Sequence, residues 1–99
     1  MTKTLIKDAI KKVQLDVAIV WLAADIQESI EHEDYIEIAK LSSELTKKTK
    51  AFIKLKEKYT DCAVAEELYT ALRSRNNHKI DEVDVKYVED VYYYILDKL

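Results

Sequence analysis

Both arginines of the chain and one of its two histidines lie within the six-residue segment 73–78, a basic island on an acidic protein. Imidazole gains or loses a proton near neutral pH, and guanidinium binds phosphate through a fork of N–H donors. On one continuous helix, Arg73 and His78 would point about 140° apart and could not address the same atom. Asn76 and Asn77 tolerate the left-handed conformation that ends helices. We therefore expect the chain to turn there and to bring His78 back beside Arg73.

This segment resembles the motif of the HEPN superfamily (higher eukaryotes and prokaryotes nucleotide-binding), helical bundles whose ribonuclease members carry an arginine, four to six residues and a histidine. Arg73 and His78 are separated by four residues. Segment 80–99 resembles the amphipathic helix that follows the motif in the family. The resemblance covers about residues 71–99 and the general helical layout. It implies a metal-independent endoribonuclease of the toxin or phage-defence type that needs no cofactor.

The resemblance also assigns roles to individual residues. His78 would take the proton from the ribose 2′-hydroxyl as it attacks phosphorus, or protonate the leaving 5′-oxygen. Arg73 would hold the phosphate and stabilise the charge that builds on its oxygens. Arg75, Asn77 and Lys79 would position the RNA backbone. Since one histidine can hardly act as both base and acid, a homodimer with two motifs in one cleft is implied, with an antitoxin or another protein as a possible partner.

Two other interpretations of the segment stay open. Arg73 and Arg75 can simply neutralise the C-terminal dipole of a helix, with His78 as an ordinary loop residue. The chain would then be a non-enzymatic helical interaction module, such as a viral or plasmid adaptor or a bacteriocin-type immunity protein. Ser74 occupies a position where many HEPN members have Asn, Asp or His, which favours a third interpretation, a HEPN-type bundle that binds a partner or nucleotide without cleavage.

Two further groups of residues could do chemistry, and we assign a site to neither. His32 lies among acidic neighbours, but consecutive residues at a helix boundary rarely converge on one ion, so we expect a solvated cap and no metal. Cys62 has no histidine close in sequence and is expected to be a small buried side chain. A single cysteine cannot form an internal disulfide, which agrees with a reducing compartment.

The elements that position these residues are predicted to be helices only. The chain has no glycine and no proline among its 99 residues, whereas β-hairpins normally need Gly, Asn or Pro to turn. Apolar residues at intervals of three and four predict helices over about 4–31, 35–59, 62–75 and 81–99. We expect Asp34 to cap the second helix, Thr60 and Asp61 to offer the cap of the third, and Asp81 and Asp84 that of the fourth. We therefore expect an all-α fold, a compact antiparallel four-helix bundle in a single domain, residues 1–99. The first helix carries two apolar stripes and is expected to be central.

Composition limits the class of protein. A hydrophobic fraction of 48% beside 35% charged residues is typical of a globular chain. The longest apolar run, 17–24, is far shorter than the ~20 residues that span a bilayer, so we expect a cytoplasmic protein with no membrane partner. A net charge of −3 argues against a surface that grips nucleic acid everywhere. Only a local basic patch could bind RNA.

Overall fold

A computed structural model of the chain describes residues 2–75 and 85–98. Within these residues the backbone forms four α-helices and no strand: α1 (Thr2–Glu31), α2 (Tyr35–Lys58), α3 (Ala63–Arg75) and α4 (Val85–Lys98). The prediction of an all-α chain with four helices is confirmed. Asp81 and Asp84, which the sequence suggests as the cap of the last helix, lie outside the described residues.

The first helix is central, as expected, because α1 packs against all three other helices. In the part of the chain that the structure describes, the backbone of α2 approaches only α1, while α4 packs mainly on α3. The protein measures 52 by 24 by 17 Å, with a radius of gyration of 15.6 Å. A compact domain of this length has a radius of about 13 Å. The molecule is thus a long α1–α2 hairpin with α3 and α4 packed near one end.

The core lies where α1, α3 and α4 meet. Each helix contributes apolar residues at intervals of three or four, which places them on one face of that helix. The buried residues of this cluster are Ile6, Ala9, Val13, Leu68, Leu72, Val88, Tyr92 and Ile95. The spacing of three and four that predicts the first, third and fourth helices therefore also identifies the faces that they bury in this region.

The second half of α1 is more exposed than its sequence predicts. Val20 and Trp21 continue the apolar pattern of Val13 and Val17, yet Val20 is 52% and Trp21 is 59% exposed. The reason is the length of α3, which has only 13 residues and in its last turn contacts α1 at Asp16. Beyond Val17, the described helices α3 and α4 no longer cover this face of α1.

The turn between α1 and α2 is a Schellman motif. The Asp34 N–H donates to the Ser29 carbonyl at 3.0 Å, and the Glu33 N–H donates to the Ile30 carbonyl at 3.1 Å. Glu33 occupies the left-handed position with φ of 56°, where glycine is usual. Asp34 caps α2 by accepting a hydrogen bond from the Glu37 N–H at 3.2 Å, as the sequence predicts.

The turn between α2 and α3 differs from the prediction. Thr60 and Asp61 are the cap residues suggested by the sequence, but the Thr60 hydroxyl donates backwards to the carbonyl of Glu57 at 2.9 Å. The first carbonyl to accept a bond from α3 is that of Cys62, which receives the Glu66 N–H at 3.2 Å. Cys62 is a free thiol and only half-buried.

Replacing Glu33 with glycine should stabilise the protein, because a left-handed residue with a β-carbon costs roughly 1 kcal/mol that glycine avoids. We expect Glu33→Gly to raise the free energy of unfolding by about that amount in urea titrations. The control is Glu28→Gly, an exposed position inside α1, which should lower it by about 1 kcal/mol. Destabilisation by both changes would contradict the assigned turn.

Candidate functional site

A row of three charged residues runs along α1 between α2 and α3. Asp8, Lys12 and Asp16 are spaced by four residues and therefore lie on the same side of the helix. Lys12 is only 8% exposed, and the side chains of Asp8 and Asp16 are 17% and 24% exposed. We call these three residues the polar row. Charged groups at this depth are stable only with partners, and the neighbouring helices provide them.

Asp16 connects α1 to α3. The Tyr69 hydroxyl donates to Asp16 Oδ2 at 2.6 Å, and Arg73 Nε donates to the same oxygen at 2.5 Å. Burial raises the pKa of Tyr69 well above its ordinary value, and the hydrogen bond to Asp16 raises it further. The hydroxyl therefore keeps its proton and remains a donor through the neutral range.

Asp8 connects α1 to the C-terminal end of α2. Lys58 Nζ donates to Asp8 Oδ2 at 2.7 Å, and the Tyr59 hydroxyl donates to the same oxygen at 2.5 Å. Burial acts to raise the pKa of Asp8, but these two hydrogen bonds and the nearby lysine charges outweigh it. The pKa of Asp8 therefore lies below its ordinary value, and its carboxylate is stabilised in the charged form.

Lys12 lies between two aromatic rings. Its Nζ is 4.2 Å from the ring centroid of Tyr69 on α3 and 5.6 Å from that of Phe52 on α2. These two rings meet edge to face, with centroids 6.2 Å apart. Burial lowers the pKa of Lys12; the charge of Glu66 opposes that change. The ammonium is held by cation–π contacts, which connect α2 and α3 through side chains although their backbones are not close.

The space beside the polar row is too small for a substrate. The cavity bounded by Asp8, Lys12, Tyr59, Glu66 and Tyr69 measures about 10 Å³. One water molecule needs at least that volume. In addition, every acceptor and donor described above is already directed at another part of the protein. The polar row is therefore a clamp that sets the positions of α2 and α3 along α1.

Of the five residues predicted to act on RNA, the structure describes the side chain of Arg73 alone. Arg73 lies in the last turn of α3, as predicted, and its side chain is 34% exposed. Arg75 ends α3, but its side chain is outside the described part, as are Asn77, His78 and Lys79. The proximity of Arg73 and His78 therefore stays a prediction.

The partner of Arg73 was not predicted from the sequence. The helix-dipole interpretation directs Arg73 at the carbonyls of its own helix, whereas the structure directs its Nε at Asp16 on α1. A signal was present in the sequence, since Asp16 falls between the two apolar stripes of the most hydrophobic helix. The remaining guanidinium nitrogens of Arg73 make no hydrogen bond to the residues that the structure describes, so they can still bind an anion.

The acidic segment around His32 does not form a metal site among the described residues. His32 is exposed in the turn between α1 and α2, with its acidic neighbours also exposed. Within residues 2–75 and 85–98, no three His, Cys, Asp or Glu side chains are close enough together to hold a metal ion. In the same ranges, no helix combines the length and the hydropathy needed to cross a membrane.

No family model, curated protein or solved structure matches the chain. The resemblance to the HEPN superfamily therefore depends on the spacing of Arg73 and His78 and on the position of Arg73 at the end of α3.

The clamp at Asp8 predicts a defined pH dependence. Because the folded-state pKa of Asp8 is lowered, its stabilisation is present above the ordinary value of 3.8 and is lost as the pH falls below that value. We expect Asp8→Asn to lower the melting temperature at pH 7 by roughly 4 °C, for ~1 kcal/mol lost. At about pH 2.5, below the ordinary value, the difference from wild type should shrink, since the unfolded chain then holds a proton on Asp8 and the charged carboxylate no longer contributes its full stabilisation.

The matched control for this measurement is Asp25→Asn, on an exposed position of the same helix. It should change the melting temperature by less than about 1 °C at either pH. A difference between Asp8→Asn and wild type that is equally large at both pH values would show that the carboxylate charge is not what holds α2.

Proposed function

We propose that the chain is a helical interaction module, which binds a partner protein through the end of the α1–α2 hairpin that extends beyond α3. The observation that carries this proposal is the concentration of exposed apolar side chains there. In the described part of the chain nine large apolar residues are exposed, and five belong to this hairpin end: Val20, Trp21, Ile30, Tyr35 and Ile36.

These side chains are exposed to an unusual degree. Ile36 is 84% exposed and Tyr35 is 72% exposed, and Trp21 is the single tryptophan of the chain. Apolar surface in water is unfavourable by roughly 25 cal/mol per Å², so several exposed apolar side chains in one part of the molecule support binding by another surface. Tryptophan and tyrosine are also the residues that most often carry the binding energy of protein interfaces.

The charges around the hairpin end indicate what kind of partner fits. Segment 20–39 contains six acidic residues and neither lysine nor arginine. A second copy that bound through the same surface would bring these acidic groups against their own counterparts, which is unfavourable. The partner that fits is therefore a different protein, with an apolar patch bordered by basic residues.

Trp21 is a natural reporter of this contact, because the fluorescence emission of its indole should shift to a shorter wavelength when a partner covers the side chain. The probes are two synthetic amphipathic helical peptides of about 18 residues with the same leucine face, one flanked by lysines and the other by glutamates. We expect only the lysine-flanked peptide to bind with a saturable shift. Ile36→Asp should weaken its binding by about tenfold, or ~1.4 kcal/mol.

The control is Ile53→Asp, an exposed isoleucine on the same helix but away from the hairpin end, which should bind like wild type. Equal binding by both variants, or no emission change with either peptide, would remove the hairpin end as a docking surface. Light scattering adds a second check, since a dimer that Ile36→Asp dissolves would identify another copy as the occupant.

A second candidate function is the ribonuclease, which the geometry of Arg73 favours. Its side chain is one third exposed, its two terminal nitrogens have no hydrogen-bond partner among the described residues, and it lies directly before the segment that contains His78. In this candidate His78 transfers the proton of the ribose 2′-hydroxyl while Arg73 stabilises the phosphate, and two copies of the chain combine their motifs. Cytoplasmic localisation and an antitoxin partner belong to the same candidate.

The ribonuclease is tested with purified protein, single-stranded RNA and a metal chelator. We expect cleavage that leaves 2′,3′-cyclic phosphate ends and spares DNA, and we expect His78→Ala to abolish it. Arg73→Ala should also abolish cleavage, but it removes the ion pair with Asp16 as well. Asp16→Asn is therefore the matched control, because it weakens the same structural contact and should retain cleavage. Intact RNA with wild-type protein would end this candidate.

A further inference from the structure

The two long helices enclose an open groove with lysines on both walls. Its volume is about 730 Å³, and its lining consists of Lys11, Leu15, Lys40, Ser43, Glu44, Lys47, Lys48 and Ala51. We call it the lysine groove. Lys11 and Lys12 are adjacent on α1 but point about 100° apart. Since Lys12 faces the rings of Phe52 and Tyr69, the lysine groove opens on a different side of the hairpin from the polar row.

The lysine groove holds four positive charges and one negative charge, on a chain whose net charge is −3. Its helix α2 contains seven lysines and three glutamates, so positive charge is concentrated in this part of the molecule. In the described structure neither ion pair involves the four groove lysines. Lys40 and Lys47 are seven residues apart, which places them two turns, or about 10 Å, from each other along one wall.

We propose that the lysine groove binds the phosphodiester backbone of a nucleic acid. Lysine is a compact charge on a flexible stem and binds phosphate as a point charge. No aromatic side chain lines the groove, so bases have no surface to stack on and recognition is independent of sequence. Glu44 lies among the lysines and weakens their attraction for phosphate. We therefore expect binding mainly at low salt, where that attraction is strongest.

The residues that line the groove favour a nucleic acid over two other kinds of anionic ligand, a membrane surface and an acidic peptide. A membrane surface would need exposed apolar residues beside the lysines. In the described part of the chain, five of the nine exposed large apolar residues lie instead at the hairpin end and three on α4, with Ile53 further along α2. An acidic amphipathic peptide would need an apolar floor, but Leu15 at the bottom of the groove is only 8% exposed. A charged strand that contacts both walls through phosphate alone fits these properties.

This site goes beyond both functions proposed above. It lies on the same hairpin as the exposed apolar end but uses different side chains, so one chain can hold a protein and a nucleic acid at the same time. It is also separate from Arg73 and His78, so binding in the groove requires no cleavage.

The test measures the fluorescence anisotropy of two labelled probes of about 20 nucleotides, a single-stranded RNA and a DNA duplex. Every protein tested carries His78→Ala, and the buffer contains a chelator, so that cleavage cannot interfere. We expect at least one probe to bind at about 50 mM salt. If four lysines contact a single strand, a plot of the logarithm of the affinity against the logarithm of the salt concentration should have a slope of about −3. The two probes show which form of nucleic acid is preferred.

The decisive variant replaces Lys11, Lys40, Lys47 and Lys48 with glutamine and should bind at least about tenfold more weakly. The matched control replaces four exposed lysines outside the groove with glutamine, namely Lys3, Lys50, Lys56 and Lys98. It should bind within about threefold of the parent. Both sets change the net charge equally. Glu44→Gln should tighten binding by removing the one acidic group of the groove.

Three results would overturn the proposal. The first is no binding of either probe at low salt, and the second is equal loss in the two lysine sets, which would reduce the effect to net charge. The third is tighter, groove-dependent binding of vesicles containing phosphatidylserine or of a polyglutamate peptide, which would assign the groove to a membrane or to an acidic protein. Circular dichroism of each variant is the control that its helices are retained.

Discussion

The arrangement of the helices depends on the need of three charged groups on α1 for partners. Asp8, Lys12 and Asp16 are held at low exposure on the most apolar helix, and each would be costly there if it were unpaired. In the described structure, Asp8 is satisfied by the end of α2 and Asp16 by the second half of α3. Since a slide of one helix along its neighbour by a turn would break these directional contacts, they favour the observed register.

The same clamp limits what Arg73 can do. An arginine that served only as a phosphate ligand would be free to move with its substrate, whereas Arg73 is anchored through Nε and offers its terminal nitrogens in a fixed direction. Anchoring of this kind is compatible with anion binding, because a positioned donor loses less entropy when the anion arrives. It also gives the residue a structural duty that exists without any ligand, so loss of activity in Arg73→Ala alone cannot separate the two roles.

Periodicity was sufficient to predict the helices, their order and the central place of α1, since each helix must bury a stripe of apolar residues. It could not predict where burial ends. Val20 and Trp21 have the spacing of core residues, and only the position at which α3 stops leaves them exposed. The contacts of Asp16 were equally inaccessible, because hydrogen bonds across 50 or more residues depend on the register of packed helices. The caps next to the turns were partly predictable: Asp34 is correct because its bond is local.

Uneven charge along the hairpin connects the proposals about binding. Acidic groups surround the apolar hairpin end, and lysines occupy the other part of α2, so the two ends attract ligands of opposite charge. Because the Debye length is about 8 Å at physiological ionic strength, Lys47 and Lys48, which lie about 16 Å along α2 from Ile36, act largely separately from the acidic hairpin end, whereas Lys40 lies within one Debye length of Glu37. A net charge of −3 is thus an average over two distinct surfaces. Partner choice for such a chain depends on the local sign of the charge, and neither surface contains a residue that makes a hydrogen bond of the clamp.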